Sequence, residues 1–394
     1  MKIIVTSIVD LKKSAHNSRL HQLLKHLSEK HEITVLSIND HWKAQSDDKS
    51  DEYYKDFQSL FERIEMLYLS DKIISPISQE LLSFKTINGI LKKLGYDFDV
   101  HFNYNTLISG YFVAKKMKKA KRLKTVYDIA DDLPEMIRSS PQIPSYLRSV
   151  GGFVGGFALK KNLRLSDTVT YTTDALRFSC GIPINKSILV PNGVDTELFR
   201  PHPSDRLKAE LGLQNSFVVG HVGVLREWLD FKPLFVAVKA LNEKLDLKLL
   251  MVGGGVGYQA TVDLARKCGL QNVVFTGTVP YTQVPKYISC MDVCVVPFKQ
   301  DKVSQNSLPL KLFEYMACEK PVISTRVDGI VKSFKNHVLY VSNAEEYKNQ
   351  ILGLYDDEIP RKNLGLVGRE FVKNEYNWSA ITSKLELILK DTAG

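Results

Sequence analysis

Two successive series of strand-like and helix-like segments run along the chain. The first begins with KIIVTSI, a helical pattern near 17–30 and EITVLSI, and it later includes FDVHFNY, KTVYDIAD, DTVTYTT and KSILVPNGVD. The second contains SFVVGHVG, LKLLMVGGG, NVVFTG, VCVVPF and PVISTR, separated by helical patterns near 231–244, 257–268 and 282–290. Short β-branched runs that alternate with amphipathic helices predict parallel sheets covered by helices.

The segment ELFRPHPSD separates the two series, and its two prolines interrupt any regular element. We therefore predict two doubly wound α/β domains, at 1–197 and 198–375. Ligands of such sheets bind beyond the carboxyl ends of the strands, so two facing domains would form a cleft. A last helical pattern at 376–394 carries an apolar stripe that must be buried, formed by Trp378, Ile381, Leu385, Ile388 and Leu389.

The composition supports a folded, water-soluble protein of two domains. The 394 residues are 44% hydrophobic and 25% charged. No apolar run approaches the roughly 20 residues that span a bilayer, and the N-terminus is typical of a first strand rather than a signal peptide. The five cysteines form no CxxC pair and lie mostly in apolar stretches, which favours buried thiols in the cytoplasm over a disulfide or metal site.

Part of the net charge of +9 is concentrated in KKMKKAKRLK, with seven basic residues and no acid. These residues are either a solvated helix face or a surface for anionic phospholipid or a phosphorylated substrate. Nucleic acid is disfavoured because no aromatic stacking platform accompanies the charge. The seven residues are Lys115, Lys116, Lys118, Lys119, Lys121, Arg122 and Lys124.

The glycine-rich segment 139–162 also has two interpretations. Its four glycines beside Phe153 and Phe157 predict a mobile loop or a packed helix–helix contact. The alternative is a segment that contacts an acceptor or a membrane.

Glycines and polar residues follow the strands of the second series. Gly223 ends SFVVGHVG, and the successive glycines of MVGGGVGYQA resemble only part of a dinucleotide fingerprint, so nicotinamide binding is disfavoured. The stretch SQNSLPLKLFEYMACEKPVIST then places Glu314 in a helix whose first N–H groups suit an anion.

Taken together, VPNGVDTELFRP, VVGHVGVL, LLMVGGG, VVFTGTV, VCVVPF and LPLKLFEYMACEKPVIST resemble the retaining nucleotide-sugar glycosyltransferases of family 4. The specific resemblance covers about 190–330, and YDIADD extends it more loosely to the first half. It implies a GT-B fold, with a sugar donor on the second domain, an acceptor on the first, and a C-terminal helix that returns to the first domain.

The resemblance also implies roles for individual residues. Glu314 would hydrogen-bond the ribose of the nucleotide, while Leu310 and Lys311 would offer backbone N–H groups and a charge to the diphosphate. The other residues assigned to the donor are Asn192, Gly193, Gly223, Gly253, Gly254, Thr278, Val279 and Ser307.

Two positions depart from the family pattern. Asn306 replaces the first acid of the usual E-x7-E pair, so its contact with the sugar would be uncharged. Val224 stands where an arginine is common, so Arg226, Lys232 or Lys311 would neutralise the leaving diphosphate.

In the first domain the candidates are Asp128 and Asp131 of YDIADD and His16 in the loop after the first strand. An alternative for the three acids of YDIADD is that they only cap a helix. No metal or other cofactor is expected, and the donor would be linked to UDP or GDP. We predict a cytoplasmic transferase that extends a glycan or lipid-linked saccharide, with a nucleotide-sugar epimerase or a silent GT-B subunit as alternatives.

Overall fold

The computed structural model describes residues 1–12, 19–39, 57–70, 74–140 and 143–394. The chain divides into two compact units. The first comprises Met1–Pro191 together with Trp378–Gly394, and the second comprises Asn192–Asn377. Each unit contains one parallel sheet with helices packed against it.

The first unit is built on seven parallel strands in the order β3-β2-β1-β4-β5-β6-β7. The strands are β1 Lys2–Ser7, β2 Glu32–Ser37, β3 Ile64–Tyr68, β4 Val100–Tyr104, β5 Lys124–Ile129, β6 Thr168–Tyr171 and β7 Ser187–Leu189. The helices among the described residues of this unit are α1 Arg19–Leu27, α2 Gln58–Arg63, α3 Pro76–Leu94, α4 Ser109–Lys121, α5 Leu133–Ser139, α6 Ser145–Leu165 and α7 Asp174–Ser179.

Strand β4 shows why the centre of this sheet is stable. All five of its residues are buried, as are the last five of β1 and of β5. A parallel strand that is covered on both faces needs nearly continuous burial. The two buried polar residues of β4 are hydrogen-bonded, since Nε2 of His101 lies 3.0 Å from Oγ1 of Thr6 and the side-chain amide of Asn103 donates to Oδ1 of Asn162 at 3.0 Å. Connections between parallel strands are right-handed. Helix α4 connects β4 to β5 and α6 lies between β5 and β6, so both connections run in one direction across the sheet. Helix α1 connects β1 to β2 in the opposite direction. Helices α4 and α6 therefore cover one face of the sheet, and α1 covers the other.

The last helix, α17 Trp378–Ala393, belongs to the first unit and packs against α1, β4 and β5. Leu385 and Leu389 are fully buried there. The carboxylate of Glu386 lies 3.4 Å from the ammonium of Lys30 and 3.2 Å from Nε2 of His31. The predicted return of the C-terminal helix to the first domain is confirmed.

The second unit has six parallel strands in the order β10-β9-β8-β11-β12-β13. The strands are β8 Phe217–Val222, β9 Leu247–Val252, β10 Val273–Gly277, β11 Val293–Val296, β12 Val322–Thr325 and β13 Leu339–Val341. The helices of this unit are α8 Asp205–Glu210, α9 Lys232–Leu241, α10 Tyr258–Lys267, α11 Val284–Ser289, α12 Lys302–Gln305, α13 Leu310–Ala317, α14 Asp328–Phe334, α15 Ala344–Asp356 and α16 Glu358–Glu375. One continuous apolar core joins them to the sheet.

The two units meet in the sequence after Pro191, six residues before the predicted boundary at 197, because hydrogen bonds to residues at the end of the second unit hold 192–197 there. The backbone N–H of Val194 donates to the carbonyl of Tyr376 at 2.8 Å. The side-chain amide of Asn377 donates to Thr196 at 3.3 Å. These partners lie far away in sequence, so the proline-rich segment alone did not indicate them.

Most of the glycine-rich segment forms helix α6, which packs against α5. A Cβ on Gly152 would lie 2.3 Å from Cγ of Arg138, and one on Gly151 would lie 2.9 Å from a methyl of Ile137. The glycines are therefore needed for close approach of the two helices, which is the packed-contact alternative. Within the described residues, no helix is both long and apolar enough to cross a membrane.

Candidate functional site

Helix α13 begins at the carboxyl edge of the second sheet with an uncapped first turn. Pro309 precedes it, no side chain caps its N-terminus, and its first turn contains no acid. A residue distant in the sequence holds the turn before the helix: the side-chain amide of Asn192 donates to the carbonyl of Leu308 at 2.7 Å. Free N–H groups and the helix dipole make this end suitable for an anion.

Lys311 places its ammonium group against the end of strand β8. Its Nζ lies 3.1 Å from Nε2 of His221, and a Cβ on Gly223 would lie 2.7 Å from the same Nζ. His221 is fully buried, and its Nδ1 lies 2.9 Å from the carbonyl of Val295. Because Nδ1 must donate to that carbonyl, Nε2 offers its lone pair and Lys311 donates to it.

The electrostatics of this pair follow from burial. Removal from water lowers the pKa of Lys311 to about 8, and the carboxylate of Glu314 opposes that shift. Burial and the nearby ammonium of Lys311 hold the pKa of His221 well below its usual value. The imidazole therefore stays neutral and accepts, while Lys311 carries its proton at neutral pH.

Glu314 lies one turn after Lys311 and is 8% exposed. The hydroxyl of Tyr281 donates to its Oε1 at 3.1 Å. Burial raises the pKa of Glu314 to about 7, although the Tyr281 bond and the charge of Lys311 favour the ionised form. A carboxylate held in this way is a strong acceptor for hydroxyl groups once it is ionised.

Three strand ends bring backbone and small side chains close to this helix. Gly223 and Gly253 both have φ of +130°, a conformation that favours glycine. A Cβ on Gly253 would lie 2.2 Å from the carbonyl oxygen of Gly223, and one on Gly254 would lie 2.6 Å from Oγ1 of Thr278. The predicted glycines and Thr278 therefore form one contact set at the carboxyl edge.

The remaining candidates of the second unit lie around this set. Arg226 places its guanidinium 5.1 Å from the ring centre of Trp228, and burial lowers the pKa of Arg226. Lys232 begins α9 with an exposed side chain. Val279 is partly buried against the core, just after the exposed Thr278.

Asn306 and Ser307 lie in the turn between α12 and α13. Asn306 is partly buried, and the hydroxyl of Ser307 donates to the carbonyl of Val303 at 3.0 Å. A Cβ on Gly329 would lie 2.5 Å from the carbonyl oxygen of Ser307, so α14 packs closely against this turn. Gly193 is buried beside Asn192 at the start of the unit.

In the first unit, Asp128 is fully buried at the end of β5 and paired with Arg19. The guanidinium is bidentate, with Nε 3.1 Å from Oδ2 and Nη2 3.1 Å from Oδ1. The hydroxyl of Thr170 donates to Oδ1 at 2.5 Å. This geometry favours a structural role for Asp128, since its oxygens are occupied by protein donors.

Asp131 and Asp132 differ from Asp128 and from each other. Asp132 accepts from the N–H of Glu135 at 3.1 Å and so caps α5, as the helix-cap alternative proposed. The side chain of Asp131 is exposed, and Asn105 donates to its Oδ2 at 3.4 Å. Partial removal of its carboxylate from water, together with the carboxylates of Asp128 and Asp132, raises the pKa of Asp131 to about 6, against the opposing charge of Arg19. His16 lies outside the described residues.

Three residues that contact the predicted site residues, Arg19, His221 and Tyr281, were not predicted from the sequence. Arg19 follows His16 by three residues, and its position after the first strand was the one available signal. His221 and Tyr281 gave no local signal, because each acts through a partner that is distant in the chain. Within the described part of the chain, no group of three or more His, Cys, Asp or Glu residues is arranged to hold a metal.

The basic cluster lies mostly on α4, exposed except for the partly buried Lys116. Lys118 and Lys124 lie 3.5 Å and 3.4 Å from Asp167, so part of the charge is neutralised within the protein.

Two parallel-sheet Rossmann-like domains, with a last helix that returns to the first of them, define the class as the GT-B fold, and solved structures confirm it. Sucrose-phosphate synthase from Thermosynechococcus elongatus matches with a TM-score of 0.76 at 18% identity, over 99% of this chain and 98% of that one. HepE from Anabaena, in complex with UDP-glucose, matches with a TM-score of 0.74 at 17% identity, over 99% and 100%.

Residues 216–357, which include Lys311 and Glu314, match the family model of glycosyl transferases group 1. A Bacillus subtilis (strain 168) protein, whose name assigns it to teichuronic acid biosynthesis as glycosyltransferase TuaH, is 31% identical over 45% of this chain and 44% of its own length. The GDP-mannose-dependent alpha-(1-6)-phosphatidylinositol monomannoside mannosyltransferase of Mycobacterium tuberculosis is 26% identical over 57% and 62%. The chain therefore matches less than two thirds of the length of either relative.

Proposed function

We propose that this chain is a retaining, metal-independent glycosyltransferase of family 4 that transfers a sugar from a nucleotide-sugar donor to a hydroxyl acceptor. The observation that carries the proposal is the cluster of Lys311, Glu314 and the uncapped start of α13 against Gly223. This cluster joins an anion-binding helix end to a buried carboxylate one turn later. It also lies inside the segment that matches the glycosyl transferases group 1 model.

The donor's groups have complementary partners in this cluster. The ionised carboxylate of Glu314 accepts hydrogen bonds from the ribose, and the N–H groups of Leu310 and Lys311 donate to the diphosphate. The ammonium of Lys311 neutralises charge that develops on the diphosphate as the bond to the sugar breaks. Arg226 and Lys232 supply further positive charge, and Asn306 hydrogen-bonds the sugar.

We assign the acceptor to the first unit, where Asp131 is the candidate that contacts the reacting hydroxyl. A pKa raised to about 6 suits a carboxylate that accepts a proton near neutral pH. Asp128 then acts through Arg19, by shaping the edge of the sheet on which Asp131 lies. His16 is proposed to contact the sugar or the acceptor.

The acceptor we propose is a glycan or a lipid-linked saccharide used in the synthesis of cell-surface polysaccharide or glycoprotein glycans, with the enzyme in the cytoplasm. The relatives' names support these classes, since one is assigned to teichuronic acid biosynthesis and the other to a phosphatidylinositol mannoside. A donor linked to UDP or GDP is supported by the GDP-mannose dependence of one relative and by the UDP-glucose bound to HepE.

Calorimetric titration of the purified chain with UDP and with GDP tests the donor site. We expect one of them to bind, and we expect Glu314→Gln to weaken that binding while Glu243→Gln, on the exposed surface, does not. Hydrolysis of a panel of nucleotide sugars then identifies the donor, and the anomeric configuration of the released sugar tests retention. Failure of both nucleotides to bind the folded protein would count decisively against the transferase.

A second candidate is a catalytically silent subunit of the same fold. The uncharged Asn306 and Val224, at positions where the family has an acid and an arginine, favour it. Such a subunit would hydrolyse no donor in the panel. A nucleotide-sugar epimerase would instead release free sugar and nucleotide with no need of an acceptor.

A further inference from the structure

Three neighbouring helices of the first unit, α3, α4 and α6, form a layer whose outer surface we call the three-helix face. Helix α4 packs against both of the others, and the rings of Phe84 on α3 and Phe112 on α4 have centres 6.1 Å apart. This layer covers the face of the sheet opposite α1 and α17.

Helix α6 is apolar on both of its sides. Its inner side packs on the core through Gly155, Leu159 and Leu163. Its outer side carries Tyr146, Val150, Phe153 and Phe157 on successive turns, and these side chains are 77%, 59%, 74% and 58% exposed. Spacings of three and four residues align them into one ridge. Isolated exposed apolar residues are ordinary, but an aligned ridge of this kind indicates an interaction surface.

Helix α3 adds a second apolar strip to the same face. Leu81 and Phe84 are 50% and 47% exposed, one turn apart. They precede Lys92 and Lys93 near the end of the helix, just as the ridge of α6 precedes Lys160 and Arg164. Apolar side chains and basic ends are therefore arranged alike on the two outer helices.

The charge of this layer is almost entirely positive. Helices α3, α4 and α6 together contain twelve lysines and arginines and one acid, Glu80. The carboxylate of Glu80 is turned inward, where it accepts from the N–H groups of Ile108 and Ser109 at 3.0 Å and 3.1 Å and caps α4. The only acid of these three helices is thus used inside the protein. Asp167, just after α6, neutralises part of the charge through Lys118, while Lys115 and Lys119 are exposed.

We propose that the three-helix face docks on a bilayer of anionic phospholipids, with the ridge of α6 inserted among the acyl chains. The partner is identified by charge complementarity, since a layer with this excess of basic side chains attracts a negatively charged surface. An exposed ridge of aromatic and aliphatic side chains beside lysines has the composition of a helix that lies in a membrane interface. The docking surface does not depend on the proposed transferase activity.

Sedimentation of the full chain with vesicles tests the docking. Vesicles of phosphatidylcholine with about one third phosphatidylglycerol should bind the protein at low salt, pure phosphatidylcholine should bind it far less, and added salt should weaken the binding. Phe153→Ser combined with Phe157→Ser should weaken binding at least tenfold. The matched control is Leu387→Ser, since Leu387 is 60% exposed on α17, on the other face of the sheet.

Charge variants separate the electrostatic part of the binding. Lys115→Ala combined with Lys119→Ala should weaken binding by about fivefold per lysine at low salt, because each basic residue near the surface contributes about 1 kcal/mol. Lys384→Ala, on α17, should leave binding unchanged. Circular dichroism of every variant verifies that it is folded.

Fluorescence locates the inserted residue directly. The native chain has three tryptophans, so the emission of each variant is compared with that of the native chain. The emission added by Phe153→Trp should shift to shorter wavelength on anionic vesicles and be quenched by brominated acyl chains, while that added by Leu387→Trp should show neither effect. The proposal is overturned if the native chain does not bind anionic vesicles at low salt, or if the Phe153 and Phe157 double variant binds them as well as the Leu387→Ser control does. It is also overturned if the ridge instead forms a dimer interface between two copies of the chain, so that the phenylalanine variants are monomers.

Discussion

Replacing Arg19 with methionine should strongly destabilise the first unit, because it leaves Asp128 as a buried carboxylate without its cation. Asp128 is 0% exposed and Arg19 is 3% exposed, so water reaches neither charge. The pair is held by two hydrogen bonds of 3.1 Å, and Arg19 also donates to the carbonyl of Pro191 at 2.5 Å. The variant removes all of these bonds at once.

The expected magnitude follows from this burial. Removing one member of a buried ion pair costs about 3–5 kcal/mol, since the remaining charge stays desolvated. For a unit of this size each kcal/mol lowers the unfolding midpoint by about 2–4 °C, which predicts a shift of roughly 6–20 °C. Lys2→Met is the control in the same unit, because the ion pair of Lys2 with Asp97 has side chains 47% and 88% exposed. Such an exposed pair contributes little to stability, because water and salt screen both charges.

Scanning calorimetry of the single and double variants measures the effect. Arg19→Met and Asp128→Leu should each lower the midpoint, and the double variant should recover much of the loss because it leaves no buried charge. Two results would refute the argument. One is a midpoint of Arg19→Met equal to that of Lys2→Met, and the other is a double variant whose loss is the sum of the two single losses.

Three further predictions concern the second unit. The proposed donor site needs Glu314 ionised and Lys311 protonated, with pKa values of about 7 and about 8. Affinity for the nucleotide should therefore rise as pH passes about 7 and fall, by up to tenfold per unit, above about 8, and titration across that range tests both limbs. His221→Phe removes the acceptor that orients the ammonium of Lys311, so affinity should fall severalfold and the alkaline limb should move, whereas an unchanged pH profile would show that His221 only fills space. Gly253→Ala should lower the midpoint of the second unit in calorimetry by more than Gly353→Ala does, because its Cβ would lie 2.2 Å from the carbonyl oxygen of Gly223 while that of Gly353 has open space.

The architecture could be predicted from the sequence because its signals are local. The run FVVGHV is buried at every position of β8, and the pattern of KPLFVAVKAL forms α9 with Leu234, Phe235 and Val238 buried. Alternating runs of this kind specify a parallel sheet with helices on its faces. Parallel strands place their carboxyl ends at one edge of the sheet, so the glycines and Thr278 were correctly expected at one edge.

The pairing of charged side chains could not be predicted in the same way. Asp128 was identified from a motif, but its partner Arg19 lies 109 residues earlier, and only the fold brings them within 3.1 Å. The helix α6 shows a similar limit. Glycine has low helix propensity, which argued for a loop. Contact of Gly152 and Gly151 with α5 offsets that cost, and it depends on a neighbouring helix that local propensity does not describe.

The two units use their carboxylates in different ways, and this difference bears on what each can bind. In the first unit Asp128 already has a cation, so a ligand at that edge meets a neutralised pair and the exposed, weakly acidic Asp131. In the second unit Lys311 is bound to a neutral imidazole rather than to an acid, and Glu314 accepts from a neutral phenol. Neither charge is cancelled by its hydrogen-bond partner. A ligand that brings an anion to the lysine and hydroxyl groups to the carboxylate would satisfy both, which is the combination that a nucleoside diphosphate offers.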